Sequence, residues 1–464
     1  MATLQALPAG VPLWQFDRAG SPTMTAQEWW ILHWANPASP NYLPSGVIPL
    51  HPHRVIVAPT DNLQTVVDNS EDNTTFVLPP GPTPAFDGVL TLVGRNGMHF
   101  VSSDSANRSV LRWHTITSHP AVGPDPATPW QLFVPPGVTD KYIYNNLVAK
   151  VINATRDGTI SVPAQDPTVI YRFLNQPRDY IFRDIDFIGD PAHPSYSVSH
   201  QHAEYQPVEL LSVRDILYEG CTWSAFNLAD KDGNWPGDTT ATGMMGPHPA
   251  LHTAHGGVDG LVIRNCTINA ARSGASGDNR WYAPIYFDGC FNSAVVNCTL
   301  SGYRNYVFLT LTNNDFRMDW NHDGIYELTG AGIYEQRYTQ YVALSGNTAT
   351  TNTGECFWSN RGARHVIVEN NTFSPSGPQK QFAEMACDTI TSDVWITNNT
   401  IATASAVGTS GRGVVHVLSG SAQSSEYHIV NNHITGGGTA PNGWLTEATP
   451  GTSFTNTIIS GNTP

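Results

Sequence analysis

The stretch VIRNCTINAARSG (residues 262–274) joins an apolar run to an Asn-Cys-Thr turn, and similar phrases recur along the chain. Strong copies read VVNCTLSG (295–302), VIVENNTFSPSG (366–377) and VWITNNTIATAS (394–405). With the weaker copies there are nine, and in nearly all of them apolar residues flank the turn at fixed offsets. Nine such copies predict a repeat protein in which each repeat buries its inner face against its neighbours.

One turn position, called the register position below, marks each copy. It is occupied by Ile185, Cys221, Cys266, Cys298, Asn347, Asn371, Asn399, Asn432 and Asn462. Successive register positions lie 24 to 49 residues apart, with no helical periodicity between them. Repeats of this length predict short strands joined by turns and stacked about 4.8 Å apart. The predicted fold is all-β: a single-stranded right-handed parallel β-helix, or solenoid, with an N-terminal capping segment and loop insertions.

The chain divides into an N-terminal extension or cap (1–60) and a β-helix catalytic domain (61–464). Residues 59–81 predict a short helix that feeds a strand ending in a Pro-Gly turn. This stretch resembles the opening of pectin-lyase-like β-helix proteins, and the later coils resemble them in pattern. The resemblance runs from Asp61 to the end and implies a fold, which by itself implies no reaction. Residues 25–34, TAQEWWILHW, are expected to form a helix covering the open end of the solenoid.

Composition and net charge limit the classes of ligand that the protein is expected to bind. The formal charge of −15 argues against nucleic acid or an anionic membrane as a ligand. No run approaches the roughly 18 apolar residues of a membrane span, and the first residues, MATLQALPAGVPLW, lack the pattern of a signal peptide. We expect a secreted or periplasmic protein that acts on a poly- or oligosaccharide, while the sequence leaves the oligomeric state open.

Three of the six cysteines, Cys221, Cys266 and Cys298, occupy register positions that later coils give to Asn. The repeat therefore predicts that they stack as buried free thiols. The alternative is that the six cysteines of a secreted chain form three disulfides. Free thiols are favoured because a chain of this length does not need such crosslinks.

Carboxylates recur on the strand that precedes each register turn. Glycoside hydrolysis needs two of them, and coils stacked about 4.8 Å apart would space them as retaining enzymes require. We predict that Asp288 and Glu335 are the catalytic pair, since the repeat predicts that IYFDG and IYEQ are equivalent strands of consecutive coils. Glu384 or Asp388 is the substitute partner for an inverting reaction.

Two register intervals are unusually long, and insertions in a solenoid usually wall its binding cleft. Aromatic, imidazole and guanidinium side chains near these insertions suit a sugar ligand. The predicted substrate-binding residues are His252, Trp281, Tyr286, Arg337, Trp358 and Arg361. For any one of the tryptophans, simple packing of a loop is the competing interpretation.

A polysaccharide lyase is the main alternative to a hydrolase. Residues 334–348 and 354–373 loosely resemble the catalytic coils of the chondroitinase B and alginate lyase family. That resemblance would place Arg337 and Arg361 near the family's catalytic Lys and Arg. However, Arg is a poor base because its pKa exceeds about 12. A third possibility is a non-catalytic glycan-binding or adhesion β-helix.

DWNHDGIYE (319–327) matches the first half of a calcium loop, with Asp319, Asn321 and Asp323 as ligands and Gly324 at the turn. The second half departs, since Gly330 stands where an EF-hand has its Glu. The alternatives are a structural Ca²⁺ site and an ordinary Asp/Asn/Gly turn.

We expect a calcium-selective chelator to lower the melting temperature if this loop binds Ca²⁺, because the bound ion stabilises only the folded state. Asp323→Ala should abolish that response in a thermal melt. A wild-type melting temperature that ignores both chelator and added Ca²⁺ would leave the ordinary turn as the answer.

Overall fold

A computed structural model of the chain describes twenty ranges of residues. They are 48–81, 84–87, 90–92, 95–112, 116–118, 178–188, 208–211, 214–224, 251–254, 258–269, 285–288, 290–303, 307–310, 339–351, 357–360, 363–375, 382–387, 391–419, 424–447 and 456–464. The helix predicted within residues 25–34 lies outside them, and so does the candidate calcium loop predicted at residues 319–327.

The described residues form one short helix and a long succession of strands. The helix is α1 (Leu63–Asp68), and the strands are β1 (His53–Ile56), β2 (Thr74–Leu78), β3 (Pro84–Asp87), β4 (Leu90–Thr91), β5 (Met98–Ser102), β6 (Ser109–Arg112), β7 (Ile116–Ser118), β8 (Arg178–Arg183), β9 (Ile185–Ile188), β10 (Val208–Leu211), β11 (Arg214–Glu219), β12 (Thr222–Ser224), β13 (Leu251–Ala254), β14 (Val258–Arg264), β15 (Thr267–Asn269), β16 (Ile285–Asp288), β17 (Cys290–Val296), β18 (Thr299–Tyr303), β19 (Val307–Thr310), β20 (Thr339–Ser345), β21 (Thr348–Thr351), β22 (Phe357–Asn360), β23 (Ala363–Glu369), β24 (Thr372–Pro375), β25 (Ala383–Cys387), β26 (Thr391–Thr397), β27 (Thr400–Ala402), β28 (Val415–Ser419), β29 (Ser424–Val430), β30 (His433–Thr435), β31 (Leu445–Glu447) and β32 (Ile458–Ser460).

These strands build three parallel sheets, and each turn of the chain adds one strand to each sheet. Sheet A has the order β1-β2-β5-β8-β11-β14-β17-β20-β23-β26-β29-β32, sheet B the order β3-β6-β9-β12-β15-β18-β21-β24-β27-β30, and sheet C the order β4-β7-β10-β13-β16-β19-β22-β25-β28-β31. The predicted right-handed parallel β-helix is therefore confirmed, and its twelve-stranded sheet exceeds the nine predicted coils.

The corner between sheets A and B explains the recurring turn phrase. From β8 onward this corner is one or two residues long, and the residue before each register position has a positive φ. These residues are Asp184, Gly220, Asn265, Asn297, Gly346, Asn370, Asn398, Asn431 and Gly461, with φ between 53° and 67°. Only Gly, Asn and Asp occupy this left-handed region readily, so the corner selects them.

The register side chain fills the space that this corner leaves. In each of the last five coils an Asn amide donates to a main-chain carbonyl of the preceding coil, for example Asn371 Nδ2 to Leu344 O at 2.9 Å. The amides also bond one another, since Asn371 Nδ2 donates to Asn399 Oδ1 at 2.9 Å. A ladder of buried asparagines results, in which every amide is paired.

The three register cysteines continue this ladder. Each thiol contacts the equivalent carbonyl of the preceding coil, as Cys298 Sγ contacts Ile263 O at 3.4 Å. All three are buried and free, which confirms the prediction for these residues. Burial, and then the adjacent thiols of Cys221 and Cys298, raise the pKa of Cys266, so the thiol stays protonated and can donate.

The interior is lined by columns of side chains that continue from coil to coil, and sheet A contributes at least two, since Ile216 and Tyr218 of β11 both belong to the core. On sheet A, aromatic rings stack from coil to coil, with centroid distances of 5.0 Å for Phe76–Phe100, 5.3 Å for Phe100–Phe182 and 4.8 Å for Phe182–Tyr218. Towards the C-terminus smaller aliphatic residues such as Val295 and Val368 take their place. Because neighbouring coils supply each other's contacts, the core is continuous along the solenoid.

The N-terminal end contains the predicted helix and strand. Asn62 caps α1 by accepting from the Thr65 main chain, and β2 follows before Gly81, whose φ is 105°. Strand β1 already belongs to sheet A although it lies before the predicted boundary at residue 61. Ile56 on β1 is 72% exposed. No helix in the described ranges has the length and apolar character needed to cross a membrane.

Replacing one ladder amide tests this architecture. Asn371→Ala should destabilise the fold by about 3 kcal/mol, since it leaves a buried carbonyl and a buried N–H without partners. Asn371→Cys is the matched control, because a thiol already serves at Cys298, and we expect it to lose clearly less. Denaturant unfolding measures both, and equal stability of Asn371→Ala and wild type would contradict the role of the ladder.

Candidate functional site

The connections between sheets single out one face of the solenoid. Every long connection from β7 onward enters or leaves a strand of sheet C: residues 189–207, 225–250 and 270–284 precede such strands, and residues 119–177 and 311–338 follow them. The two insertions noticed in the sequence therefore flank sheet C at opposite ends of its strands. Chain that arrives and leaves on both sides of a sheet is well placed to wall a cleft over it.

One register position of sheet C collects most of the predicted site residues that the structure describes. It is occupied, strand after strand, by Thr91, Thr117, Glu209, His252, Tyr286, Phe308, Trp358, Glu384, His416 and Thr446, which we call the sheet C column. His252, Tyr286, Trp358 and Glu384 were predicted from sequence. Paired register places them in one column although 175 residues of sequence separate Glu209 from Glu384.

The sheet C column lies on the outer face of the sheet. Its member His416 stands between Val415 and Val417, which are both fully buried in the core. Ile285 and Ala383, one residue before Tyr286 and Glu384, also belong to the core. Because successive residues of a strand alternate between its two faces, this register position faces away from the core.

Asp288 lies on the same strand as Tyr286 but two residues further on. Its register partners on the next strands are Thr310, Asn360 and Ala386. Its strand, β16, lies three strand spacings from β25, the strand of Glu384, so the two backbone positions are about 14 Å apart along the stack. That distance exceeds the separation of about 6.5–9.5 Å between the carboxyl groups of inverting glycosidases, so Asp288 and Glu384 make a poor catalytic pair.

The predicted strand equivalence of Asp288 and Glu335 is wrong. The strand that pairs with β16 in sheet C is β19, which carries no carboxylate. The segment with Glu335 instead belongs to the connection from β19 to β20. Glu335 itself lies outside the described residues, as do Trp281, Asp319, Asn321, Asp323, Arg337, Arg361 and Asp388.

His416 belongs to the sheet C column but is not among the site residues predicted from the sequence. It is 4% exposed, and its Nδ1 lies 3.0 Å from Thr446 Oγ1, which also accepts from the Gly413 main chain at 2.6 Å. The imidazole and the threonine hydroxyl are therefore hydrogen-bonded to each other. Burial first, and then the charge of Arg412, lower the pKa of His416 to about 4. A neutral imidazole thus stands on the strand next to that of Glu384.

An imidazole–carboxylate pair lies close to the first residues of two neighbouring strands of sheet A, β23 and β26. His365 Nδ1 is 2.6 Å from Asp393 Oδ2, and Trp395 Nε1 donates to the other oxygen of Asp393 at 2.7 Å. His365 and Asp393 are both buried, and both have a positive φ near 55°. The pair links β23 to β26, the sheet A strands that follow the strands of Trp358 and Glu384 in the chain.

Comparison with known proteins leaves the family open, since neither a family model nor a curated protein matches the sequence. Among solved structures, the family 28 exopolygalacturonase of Yersinia enterocolitica is similar over 89% of this chain and 78% of its own, with 10% identity and a TM-score of 0.40. The mannuronan C-5 epimerase A-module of Azotobacter vinelandii is similar over 84% and 93%, with 9% identity and a TM-score of 0.23. The fold assignment rests on the sheet topology itself.

The depressed pKa of His416 predicts acid sensitivity. Unfolding exposes the imidazole and restores its ordinary pKa of 6.5, so acidification from pH 6.5 towards 4 favours the unfolded chain. The melting temperature of His416→Gln should therefore fall less between pH 6.5 and pH 4 than that of the wild type. The control is His433→Gln, at an exposed histidine that bonds Thr463. Identical pH profiles for wild type and His416→Gln would contradict the assignment.

Proposed function

We propose that this protein is a carbohydrate-active enzyme that binds a poly- or oligosaccharide along the outer face of sheet C. The single observation that carries this proposal is the sheet C column, with Glu209, His252, Tyr286, Trp358 and Glu384 at one register position. Aromatic rings can stack on sugar faces, while carboxylate and imidazole groups can bond hydroxyls. A ladder with one such group about every 4.8 Å suits an extended chain ligand.

The proposed reaction is hydrolysis of a glycosidic bond, with Glu384 as one of the two carboxylates. Glu384 is favoured because its register neighbours are Trp358 on one side and His416 on the other. A neutral imidazole on the neighbouring strand adds no charge of its own next to this position. Asp388 and Glu335 are the proposed second carboxylates.

The net charge of −15 supports a neutral or weakly charged glycan as the substrate, because a strongly anionic polymer would meet repulsion. The proposal includes a secreted or periplasmic location, since polysaccharide substrates occur there. The lyase that uses Arg337 and Arg361 remains the alternative reaction, and a non-catalytic glycan-binding protein is the third outcome. The products formed from a glycan, or the lack of any product, distinguish the hydrolase, the lyase and the binding protein.

A glycan digestion panel tests the proposal. New reducing ends without the ultraviolet absorbance of unsaturated sugars are expected. Unsaturated products would instead establish a lyase, and binding without any product would establish a glycan-binding protein.

Variants on the identified substrate then assign the residues. Glu384→Gln should lower turnover by ~10³-fold or more with little change in melting temperature, because it removes a charge used in the transition state. The control is Glu71→Gln, at an exposed carboxylate just before β2, many coils away from the strand of Glu384. If Glu384→Gln keeps wild-type turnover, Glu384 is not catalytic, and Asp288→Asn with Glu335→Gln tests the pair predicted from sequence.

A further inference from the structure

A cluster of two histidines and one aspartate lies near the N-terminal end, apart from sheet C. His51 precedes β1, His99 belongs to β5 and Asp179 to β8. The three come from positions 48 to 128 residues apart and meet because their coils stack. We propose that His51, His99 and Asp179 form a binding site for a divalent transition-metal ion of the Zn²⁺ type.

The donor atoms converge on one point. His51 Nε2 lies 2.8 Å from Asp179 Oδ2, and His99 Nε2 lies 2.9 Å from Asp179 Oδ1. The two imidazole rings stack with centroids 4.1 Å apart and planes 23° from parallel. One donor atom from each residue lies within 4.8 Å of the other two. Ligands about 2.0–2.1 Å from a tetrahedral Zn²⁺ are about 3.3 Å from one another, so loading requires the cluster to open by only about half an ångström.

The surroundings hold these side chains in place. The His99 side chain is 2% exposed, and Asp179 adopts the left-handed region with a φ of 64°. Gly97 allows His51 to approach, because a Cβ at this glycine would lie 2.8 Å from His51 Nε2. One contact opposes loading: the His51 N–H donates to His99 Nδ1 at 3.4 Å, and a metal on Nε2 would move the ring proton to Nδ1. That bond is long and weak, so giving it up is a small cost.

The ligand set selects the metal class. Two imidazoles and one carboxylate suit Zn²⁺ and its neighbours in the first transition row, whereas Ca²⁺ takes six to eight oxygen ligands. The Asp179 and His51 side chains are 43% and 22% exposed, which leaves a fourth position open to water. The site lies about six coils, or roughly 29 Å, from Glu384 along the stack. Its role is therefore structural: the ion would tie the segment that enters β1 to β5 and β8.

Metal titration of the full-length chain tests the proposal. Protein stripped with a chelator is titrated with Zn²⁺ by calorimetry, and Co²⁺ serves as a second probe because its visible spectrum reports imidazole and carboxylate coordination. We expect Zn²⁺ to bind and to raise the melting temperature, while Ca²⁺ does not reproduce the effect of Zn²⁺ at this site.

Matched variants locate the ion. Asp179→Asn and His51→Gln should each weaken Zn²⁺ binding at least tenfold and remove the Co²⁺ spectrum, and circular dichroism checks that they fold. The control is His53→Gln, at an exposed histidine two residues from His51. Two results would overturn the proposal: wild type that binds neither ion, or binding that Asp179→Asn and His51→Gln leave unchanged. In either case the three side chains form a hydrogen-bonded network only.

Discussion

The hydrogen bond from each register cysteine or asparagine side chain to a carbonyl of the preceding coil is the contact on which the solenoid depends. A left-handed residue at the A–B corner turns the chain sharply, and the register group occupies the inside of that turn. An amide satisfies the carbonyl on one side and the next amide on the other, as Asn399 does with Val368 and Asn432. Buried polar groups are tolerated only when they are paired, so this ladder fixes both the corner and the vertical register of the coils.

The same constraint decides where function can reside. A corner of one or two residues, packed against identical corners above and below, has no room for inserted chain. The long connections therefore all join sheet C, on whose outer face Trp358 and Glu384 are register neighbours. The ladder on one side of the solenoid thus leaves the opposite side free to vary, and the candidate site occupies the variable side.

The sequence predicts those parts of the fold where the backbone requires a particular residue type, which then serves as a marker. The A–B corner has one, because the Asn, Asp or Gly before Cys266 or Asn371 is required by its positive φ. The strands of sheet C have no such marker, so the sequence alone predicts IYEQ with Glu335 as the strand that follows β16 in the sheet, whereas β19, with the sequence VFLT, pairs with β16. His416 and the His51–Asp179 contact were missed for a related reason: their partners are set by coil register, which alternation of apolar residues alone does not reveal.

The spacing of the ladder also has a kinetic consequence. Closing a coil costs less chain entropy when the coil is short. The bonds Asn347–Asn371 and Asn371–Asn399 close loops of 24 and 28 residues, whereas Cys298–Asn347 closes one of 49. In a quasi-one-dimensional array each formed coil is a template for the next. We therefore expect folding to nucleate in short coils, such as those closed by Asn371, and to propagate into the coils with long insertions, such as the one between Cys298 and Asn347, which become native last.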